Sequence, residues 1–124
     1  MEFNDKQAIY LQIKNYLYQK IISKKFPLSS HLPSVRKLAT ELSVNPNTVQ
    51  RALREMVKEK VLITKRGTGN YVTSNKKMIE NLKNKLLCQA LNNFYQQISV
   101  LNLKNEDIVT NLEKFLKKGE SNGK

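Results

Sequence analysis

Apolar residues recur at helical spacing near the start of the chain, at Ile9, Ile13, Tyr16, Leu17 and Ile21. This periodicity predicts an amphipathic helix over about residues 6–24. Pro27 and Pro33 then favour extended backbone, so this helix ends before them. A second apolar stripe follows, at Val35, Leu38, Ala39 and Leu42. It predicts a short second helix with Ser34 as its N-cap.

A third helix is predicted to begin at Pro46. The side-chain oxygen of Asn45 can cap it, and a proline at the first helical position loses no needed N–H. Its inward face consists of Val49, Ala52, Leu53, Met56 and Val57. Its outward face carries a polar strip, formed by Asn47, Gln50, Arg51, Arg54 and Lys58. Two short helices joined by a tight turn predict a helix-turn-helix.

The polar strip has the chemistry of base recognition. Asn and Gln can bond adenine through two hydrogen bonds, Arg can bond guanine O6 and N7, and an α-helix fits the major groove of DNA. The alternative is that these polar residues simply face water. The chemically specified start of the helix and the basic surplus of the chain favour DNA binding.

After the third helix the pattern changes to that of a β-hairpin, which we call the wing. Residues 61–66 and 70–73 are rich in β-branched and aromatic side chains. Gly67 and Gly69 between them supply the positive φ angles of a tight turn. Lys65 and Arg66 stand at the tip, where long cations can reach a phosphate or a minor groove. The turn accounts for both glycines, so we do not interpret them as a nucleotide-phosphate loop.

The remaining residues, 76–124, form a tail with two more amphipathic helices. The first has a stripe at Ile79, Leu82, Leu86, Leu87, Leu91, Phe94, Ile98 and Leu101. The second has Ile108, Val109, Leu112, Phe115 and Leu116, with a start signal at Asn105 to Asp107 and a stop signal at Lys117 to Gly119. Two helices cannot bury this much apolar surface against each other, so a second copy of the chain is the expected partner. The alternative is that both helices fold back on the N-terminal domain.

The sequence therefore predicts an α+β chain. Residues 1–75 form a winged helix-turn-helix domain, which consists of three helices and a β-hairpin, and residues 76–124 form a two-helix dimerisation region. The expected dimerisation residues are Leu82, Leu86, Leu91, Phe94, Ile98, Leu112 and Phe115.

Charge supports a nucleic-acid partner. The chain has 22 Lys and Arg against 10 Asp and Glu, a net charge of +12, which attracts it to polyanions. Residues 1–75 carry a net +8 and residues 76–124 a net +4, so the surplus lies mainly in the part of the chain that also holds the polar strip.

The sequence lacks the signals that are typical of secreted proteins, membrane proteins, metalloproteins and enzymes. The start "MEFNDKQAIY" is acidic where a signal peptide would be basic, and no long apolar run occurs, so we expect a cytoplasmic protein without a membrane partner. Cys88 is the only cysteine and is expected to be buried core filler, and His31 is the only histidine. We therefore expect no metal, no cofactor and no enzymatic activity.

The segment "LPSVRKLATELSVNPNTVQRALREMVKEKVLITKRGTGNYV" resembles the winged helix-turn-helix of the GntR family of bacterial transcription regulators. The match "NPNTVQRAL" and the short tail resemble its YtrA-like branch. The resemblance places DNA contacts on Arg36, on the wing-tip residues Gly67 or Gly69, and on four residues of the third helix and its cap, Asn45, Asn47, Thr48 and Gln50.

The chain departs from the family pattern at three points. Many relatives have Ser-Arg in place of Asn45-Pro46 and Arg in place of Gln50, so their operators cannot be transferred to this chain. Lys60 replaces a glycine that is common before the first wing strand, which loses a favourable C-cap.

The expected function is that of a dimeric, sequence-specific transcription regulator, a repressor that occludes a promoter at an inverted-repeat operator on double-stranded DNA. The YtrA-like resemblance implies dimerisation through the tail and control of an ABC transporter operon. An alternative is a winged-helix module for protein contact or replication initiation, which would show no discrete operator. The tail contains no effector domain, so the sequence does not identify a small-molecule effector.

Overall fold

The computed structural model describes residues 3 and 5–121 and contains five helices and one β-hairpin. The elements in chain order are α1 (Ile9–Ile22), α2 (Val35–Leu42), α3 (Pro46–Lys58), β1 (Leu62–Lys65), β2 (Gly69–Val72), α4 (Lys76–Ser99) and α5 (Asn105–Ser121). This confirms the predicted winged helix-turn-helix followed by two helices. The chain forms two compact units, Met1–Lys83 and Asn84–Lys124. Their division falls inside α4, about two turns beyond the boundary predicted after residue 75.

The core of the first unit joins its three helices to the wing. Its largest fully buried side chains are Ile13, Leu17, Leu32, Leu38, Val49, Leu53, Met56, Leu62 and Val72. Each such aliphatic side chain contributes about 1.5–3 kcal/mol relative to its exposed state. The structure therefore buries the predicted apolar stripes of α2 and α3 except for Val35 and Val57, which are half-buried. In α1, Tyr18 is buried, Tyr16 is only half-buried and Ile9 is exposed, so the stripe differs from the prediction at these three positions.

Local hydrogen bonds fix the turn between α2 and α3. The Ser34 hydroxyl accepts a hydrogen bond from the Lys37 N–H at 3.1 Å and caps α2. Ser43 ends α2 in the left-handed region at φ 56°. Asn45 Oδ1 accepts a hydrogen bond from the Asn47 N–H at 2.7 Å, directly before Pro46. The start of α3 is therefore specified by its own sequence, as predicted.

Lys60 ends α3 in a conformation that usually belongs to glycine. Its φ is 66°, and the Val61 N–H donates to the Met56 carbonyl at 3.1 Å while the Lys60 N–H donates to that of Val57 at 2.9 Å. These two bonds form a Schellman motif. A side chain in this left-handed position costs about 1 kcal/mol, so the predicted loss of a favourable cap has a geometric basis.

The wing is a short antiparallel hairpin with a third segment along its edge. Its register pairs Leu62 with Val72 and Lys65 with Gly69. Gly67 and Gly69 have φ angles of 82° and 111°, as the turn prediction required. Residues 29–32 run beside β2, where the Leu32 N–H donates to the Asn70 carbonyl at 2.9 Å. This edge segment was not predicted from the sequence.

The second unit leaves much apolar surface exposed in the single chain. Exposed apolar side chains of the tail are Leu87, Leu91, Tyr95, Val100, Leu101, Leu103, Val109, Leu112, Phe115 and Leu116. Among the residues predicted for dimerisation, Leu86, Phe94 and Ile98 are half-buried, whereas Leu82 is already buried. None of the helices within the described residues combines the length and apolar character that a membrane crossing requires.

Two predictions for the tail are wrong. Cys88 is exposed rather than buried, because the two helices that make up the described part of the second unit cannot surround a residue on their outer side. The stop signal at Lys117 to Gly119 does not end α5, which continues to Ser121. Gly119 lies within the helix without a positive φ, and an interior glycine costs only about 1 kcal/mol relative to alanine.

Candidate nucleic-acid interface

The structure exposes the whole polar strip on α3. Asn47, Gln50, Arg51, Arg54 and Lys58 are all exposed, whereas Thr48 is half-buried. The side chains of Asn47, Gln50 and Arg54 make no hydrogen bond or ion pair within the described part of the chain. Their amide and guanidinium groups are therefore available to a partner molecule. The rigid helix that carries them is held by Val49, Ala52, Leu53 and Met56 on its buried face.

Asn45 has a structural role that limits its part in recognition. Its Oδ1 accepts the bond that caps α3, which leaves one lone pair of this oxygen and the Nδ2 donors for a partner. Removing such a cap costs about 0.5–2 kcal/mol of stability. A substitution of Asn45 would therefore remove the predicted DNA contact and also weaken the start of α3. A loss of binding by such a variant would combine both effects.

Arg51 is held in place by an aromatic residue that the sequence analysis missed. Its Cζ lies 3.7 Å from the centroid of the Tyr10 ring, and its Nε lies 3.7 Å from Glu55 Oε2. A guanidinium stacked on a tyrosine ring gains a cation–π interaction. The Arg51 side chain remains 57% exposed. Arg51 is therefore oriented by α1 while it stays open to a partner.

An open recess of about 360 Å³ lies between the start of α1 and the first turn of α3. Its lining residues are Ala8, Ile9, Tyr10, Asn45, Asn47, Thr48 and Arg51. Four of these residues, Asn45, Asn47, Thr48 and Arg51, were predicted to contact DNA. The recess therefore lies at the N-terminal end of the polar strip.

A charged cluster fastens α3 to α1. Lys14 Nζ lies 3.0 Å from Glu55 Oε1 and 2.6 Å from Glu59 Oε2, and the Tyr18 hydroxyl also donates to Glu59. Burial alone lowers the pKa of Lys14, but the hydrogen bonds to Glu59 and Glu55 outweigh it and raise the pKa above the ordinary lysine value. Burial and the bond to Glu59 raise the pKa of Tyr18. Lys14 therefore stays charged at neutral pH and stabilises the orientation of α3 relative to α1.

Lys14→Ala is expected to destabilise the fold by about 1–2 kcal/mol. The Lys14 side chain is 10% exposed and both carboxylates are 33% exposed, so water partly compensates the two acids when the ammonium is removed. Urea denaturation of the variant measures the change. The exposed Lys25 supplies the matched control, because Lys25→Ala removes the same charge outside the cluster. Equal midpoints for the two variants would show that the cluster does not stabilise the fold.

Arg36 and the wing provide further exposed cations. Arg36 lies in the first turn of α2, just after the Ser34 cap, and is exposed. Lys65, Arg66, Gly67 and Gly69 are exposed around the tip of the wing. Lys65 Nζ lies 4.3 Å from the centroid of the Tyr71 ring. Every residue predicted to contact DNA thus lies in the first unit, on α2, α3, the cap of α3 or the wing.

Comparison with known proteins identifies the family. The family described as "Bacterial regulatory proteins, gntR family" matches residues 9–72. An uncharacterized HTH-type transcriptional regulator of Bacillus subtilis (strain 168), YhcF, is 32% identical over 118 residues, which are 95% of this chain and 98% of YhcF. The HTH-type transcriptional repressor YtrA of the same organism is 39% identical over 69 residues, 56% of this chain and 53% of YtrA.

A solved structure supports the same conclusion. A GntR family transcriptional regulator from Listeria monocytogenes superimposes with a TM-score of 0.85 and is 39% identical. The match covers 90% of this chain and 98% of that protein, so it includes the tail as well as the winged helix-turn-helix. This chain belongs to the GntR family of bacterial regulatory proteins and is a DNA-binding transcription regulator.

Proposed function

We propose that this regulator is a homodimeric repressor that reads an inverted-repeat operator and blocks a promoter. The observation that carries the proposal is the exposed polar strip on a capped and rigidly held α3. Its unpartnered amide and guanidinium groups match the donors and acceptors of base edges in the major groove.

Base reading is assigned to the first half of α3. The N-terminal residues of a recognition helix reach the base edges, so Asn47, Thr48 and Gln50 are the proposed readers. Arg54 lies one turn beyond Gln50 on the same face and can reach a further base or a phosphate. Asn45 and Arg51 contribute from the edge of the recess, each already fixed by an internal contact.

Backbone contacts are assigned to Arg36 and the wing. Arg36, Lys65 and Arg66 are exposed cations on two different elements of the first unit. The backbone amide at Gly67 can approach a phosphate closely because no side chain lies near it, whereas the His31 ring lies against Gly69. Contacts of this kind fix the register of the protein on DNA and provide affinity without reading sequence.

Dimerisation is assigned to the tail. Leu91, Leu112 and Phe115 are exposed in the single chain, and Val109 and Leu116 lie beside them on α5 at helical spacing. An exposed apolar face of this extent marks an interaction surface. We propose that a second copy covers it, with the half-buried Leu86, Phe94 and Ile98 at its margin. Leu82 is buried without a second copy, so it supports the helix rather than the interface.

Symmetry of the dimer sets the symmetry of the operator. A two-fold axis relates the two copies of α3, so the half-site centres lie about 10 base pairs, or a multiple of that distance, apart. The +12 charge of each chain strengthens association with the DNA polyanion.

Repression and its target are inferred from relatives. YtrA of Bacillus subtilis is named a transcriptional repressor, and this chain is similar to about half of its length. We propose occlusion of the promoter as the mechanism, in which a dimer bound to an operator that overlaps the promoter prevents polymerase from binding there. The YtrA-like resemblance supports an ABC transporter operon as the target, and action on the bacterial chromosome places the protein in the cytoplasm.

Footprinting on the DNA upstream of the protein's own gene, followed by transcription in vitro, tests this function. The proposal predicts a discrete protected inverted repeat that overlaps the promoter. It also predicts less transcript when the protein is added before polymerase than when it is added afterwards. A discrete site with increased transcription would contradict repression, and the absence of any discrete site would contradict the predicted operator on this DNA.

Arg36→Ala is expected to weaken binding to all DNA sequences similarly, because a phosphate contact carries no base information. It should make the salt dependence shallower by about one unit of log–log slope. Titrations at several salt concentrations measure both effects. Lys37→Ala is the matched control, because Lys37 is the adjacent exposed cation on α2. If the two variants have the same slope, Arg36 does not make the proposed contact.

A further inference from the structure

His31 lies where the edge segment meets the wing. It forms a β-bridge with Tyr71, and its ring centroid lies 4.7 Å from that of Tyr71, with the rings tilted by 46°. Lys65 Nζ lies over the Tyr71 ring, 4.3 Å from its centroid. A continuous series of contacts therefore joins His31 to a cation of the proposed DNA-binding surface.

His31 also holds the backbone of the wing tip. Its Nε2 lies 2.6 Å from the carbonyl oxygen of Thr68, a residue 37 positions away in the sequence. A carbonyl oxygen can only accept a hydrogen bond, so Nε2 must carry the proton. The turn is closed within the hairpin by the Thr68 N–H, which donates to the Lys65 carbonyl at 3.0 Å, and the bond from His31 ties this closed turn to the edge segment.

Gly69 allows the imidazole to approach this closely. A Cβ atom at Gly69 would lie 2.9 Å from His31 Nε2, and the φ of 111° is one that side chains rarely adopt. The strands of the wing are only four residues long, and they are anchored in the core at their Leu62–Val72 end, whereas the residues around the tip are exposed. A contact from outside the hairpin can therefore decide where its tip is held.

We propose that His31 is a positioning residue for the wing: its Nε2–H holds the Thr68 carbonyl and thereby places Lys65 and Arg66 against the DNA backbone. The inference rests on the proposed function, because it requires that the wing contacts DNA. His31 itself is not assigned a contact with DNA.

NMR of the full chain tests the geometry without DNA. His31 is the only histidine, so its ring protons give a single set of signals. The proposal predicts nuclear Overhauser effects between these ring protons and the α-protons of Gly69. It also predicts slowed solvent exchange of the Nε2–H proton. Absence of the ring-to-Gly69 effects would overturn the proposal.

A double-mutant cycle tests the coupling to DNA, with a random-sequence duplex of about 30 base pairs as the probe because phosphate contacts are independent of sequence. Arg66→Ala should weaken binding about fivefold in the wild-type background and less than twofold in the His31→Ala background, where the wing tip is no longer held. His31→Gln should retain most of the affinity, because its amide Nε2–H can donate to the same carbonyl.

The outcomes separate this inference from the proposed function. Thermal unfolding of each variant first establishes that the fold is intact. If Arg66→Ala has the same effect in both backgrounds, the wing contacts DNA but His31 does not position it, and only this inference fails. If neither Arg66→Ala nor Lys65→Ala changes binding in the wild-type background, the wing contact of the proposed function fails and the inference fails with it.

Discussion

Phe115→Glu is expected to convert the dimer to a monomer and to reduce operator affinity toward the non-specific level. Phe115 is 72% exposed in the single chain, so a glutamate there is tolerated by the isolated fold. In the proposed dimer the same carboxylate is buried without a partner, which costs several kcal/mol of association. The first unit keeps its own core, so the loss is specific to assembly.

The loss of DNA binding follows from the loss of one half-site. Specific complexes are typically about 10³-fold or more tighter than non-specific ones, and a monomer makes only half of the contacts. Analytical ultracentrifugation paired with gel-shift titration on the mapped operator measures both effects. Asn92→Glu is the matched control, because it changes the charge by the same amount at an exposed polar position of α4. A wild-type monomer at micromolar concentration, or a monomeric variant that binds the full operator normally, would refute the dimer mechanism.

Gln50→Ala is expected to cost about 1–3 kcal/mol of binding on the operator and little on random DNA. The Gln50 side chain is exposed on α3 and has no internal partner within the described residues, so its removal leaves the fold unchanged. A base-reading contact is lost only where the matching base is present. The effect therefore appears as reduced specificity rather than as a uniform reduction in affinity.

Parallel titrations of operator and random duplexes measure this difference. Gln19→Ala is the matched control, since it removes an equivalent exposed amide from α1, outside the proposed interface. Equal losses on the two duplexes for Gln50→Ala would show that this residue contributes general affinity only. No loss on either would assign it to the solvated surface.

Features specified by neighbouring residues could be predicted from the sequence. The Ser34 and Asn45 caps depend on bonds that span two or three residues, and the wing turn depends on glycines at fixed positions. Such signals require no knowledge of tertiary packing. The order of elements and the exposed face of α3 followed from them together with the apolar periodicity.

Features created by packing could not be predicted. Lys14 and Glu59 are 45 residues apart, and the aliphatic stem of Lys14 is buried while its ammonium reaches two carboxylates. The stacking of Tyr10 on Arg51 likewise depends on how α1 docks against α3. Periodicity assigns such residues to a helix face but does not show which distant side chain they meet.

The tail shows the same limit in another form. Its apolar stripes were recognised, but Cys88 was predicted to be buried and is exposed. That prediction used the usual burial of free cysteines, which applies to proteins with a complete core. The basic stop signal failed at Gly119 because a helix can continue through a glycine when nothing forces a left-handed turn.

Selection of binding sites from a random pool of double-stranded DNA by the purified full-length protein tests the central claim most directly. It depends on neither a chosen promoter nor a chosen mutation. A symmetric dimer that reads bases with α3 predicts enrichment of an inverted repeat, with half-site centres about 10 base pairs, or a multiple of that distance, apart. Enrichment of a single asymmetric half-site, or of no sequence at all, would contradict it.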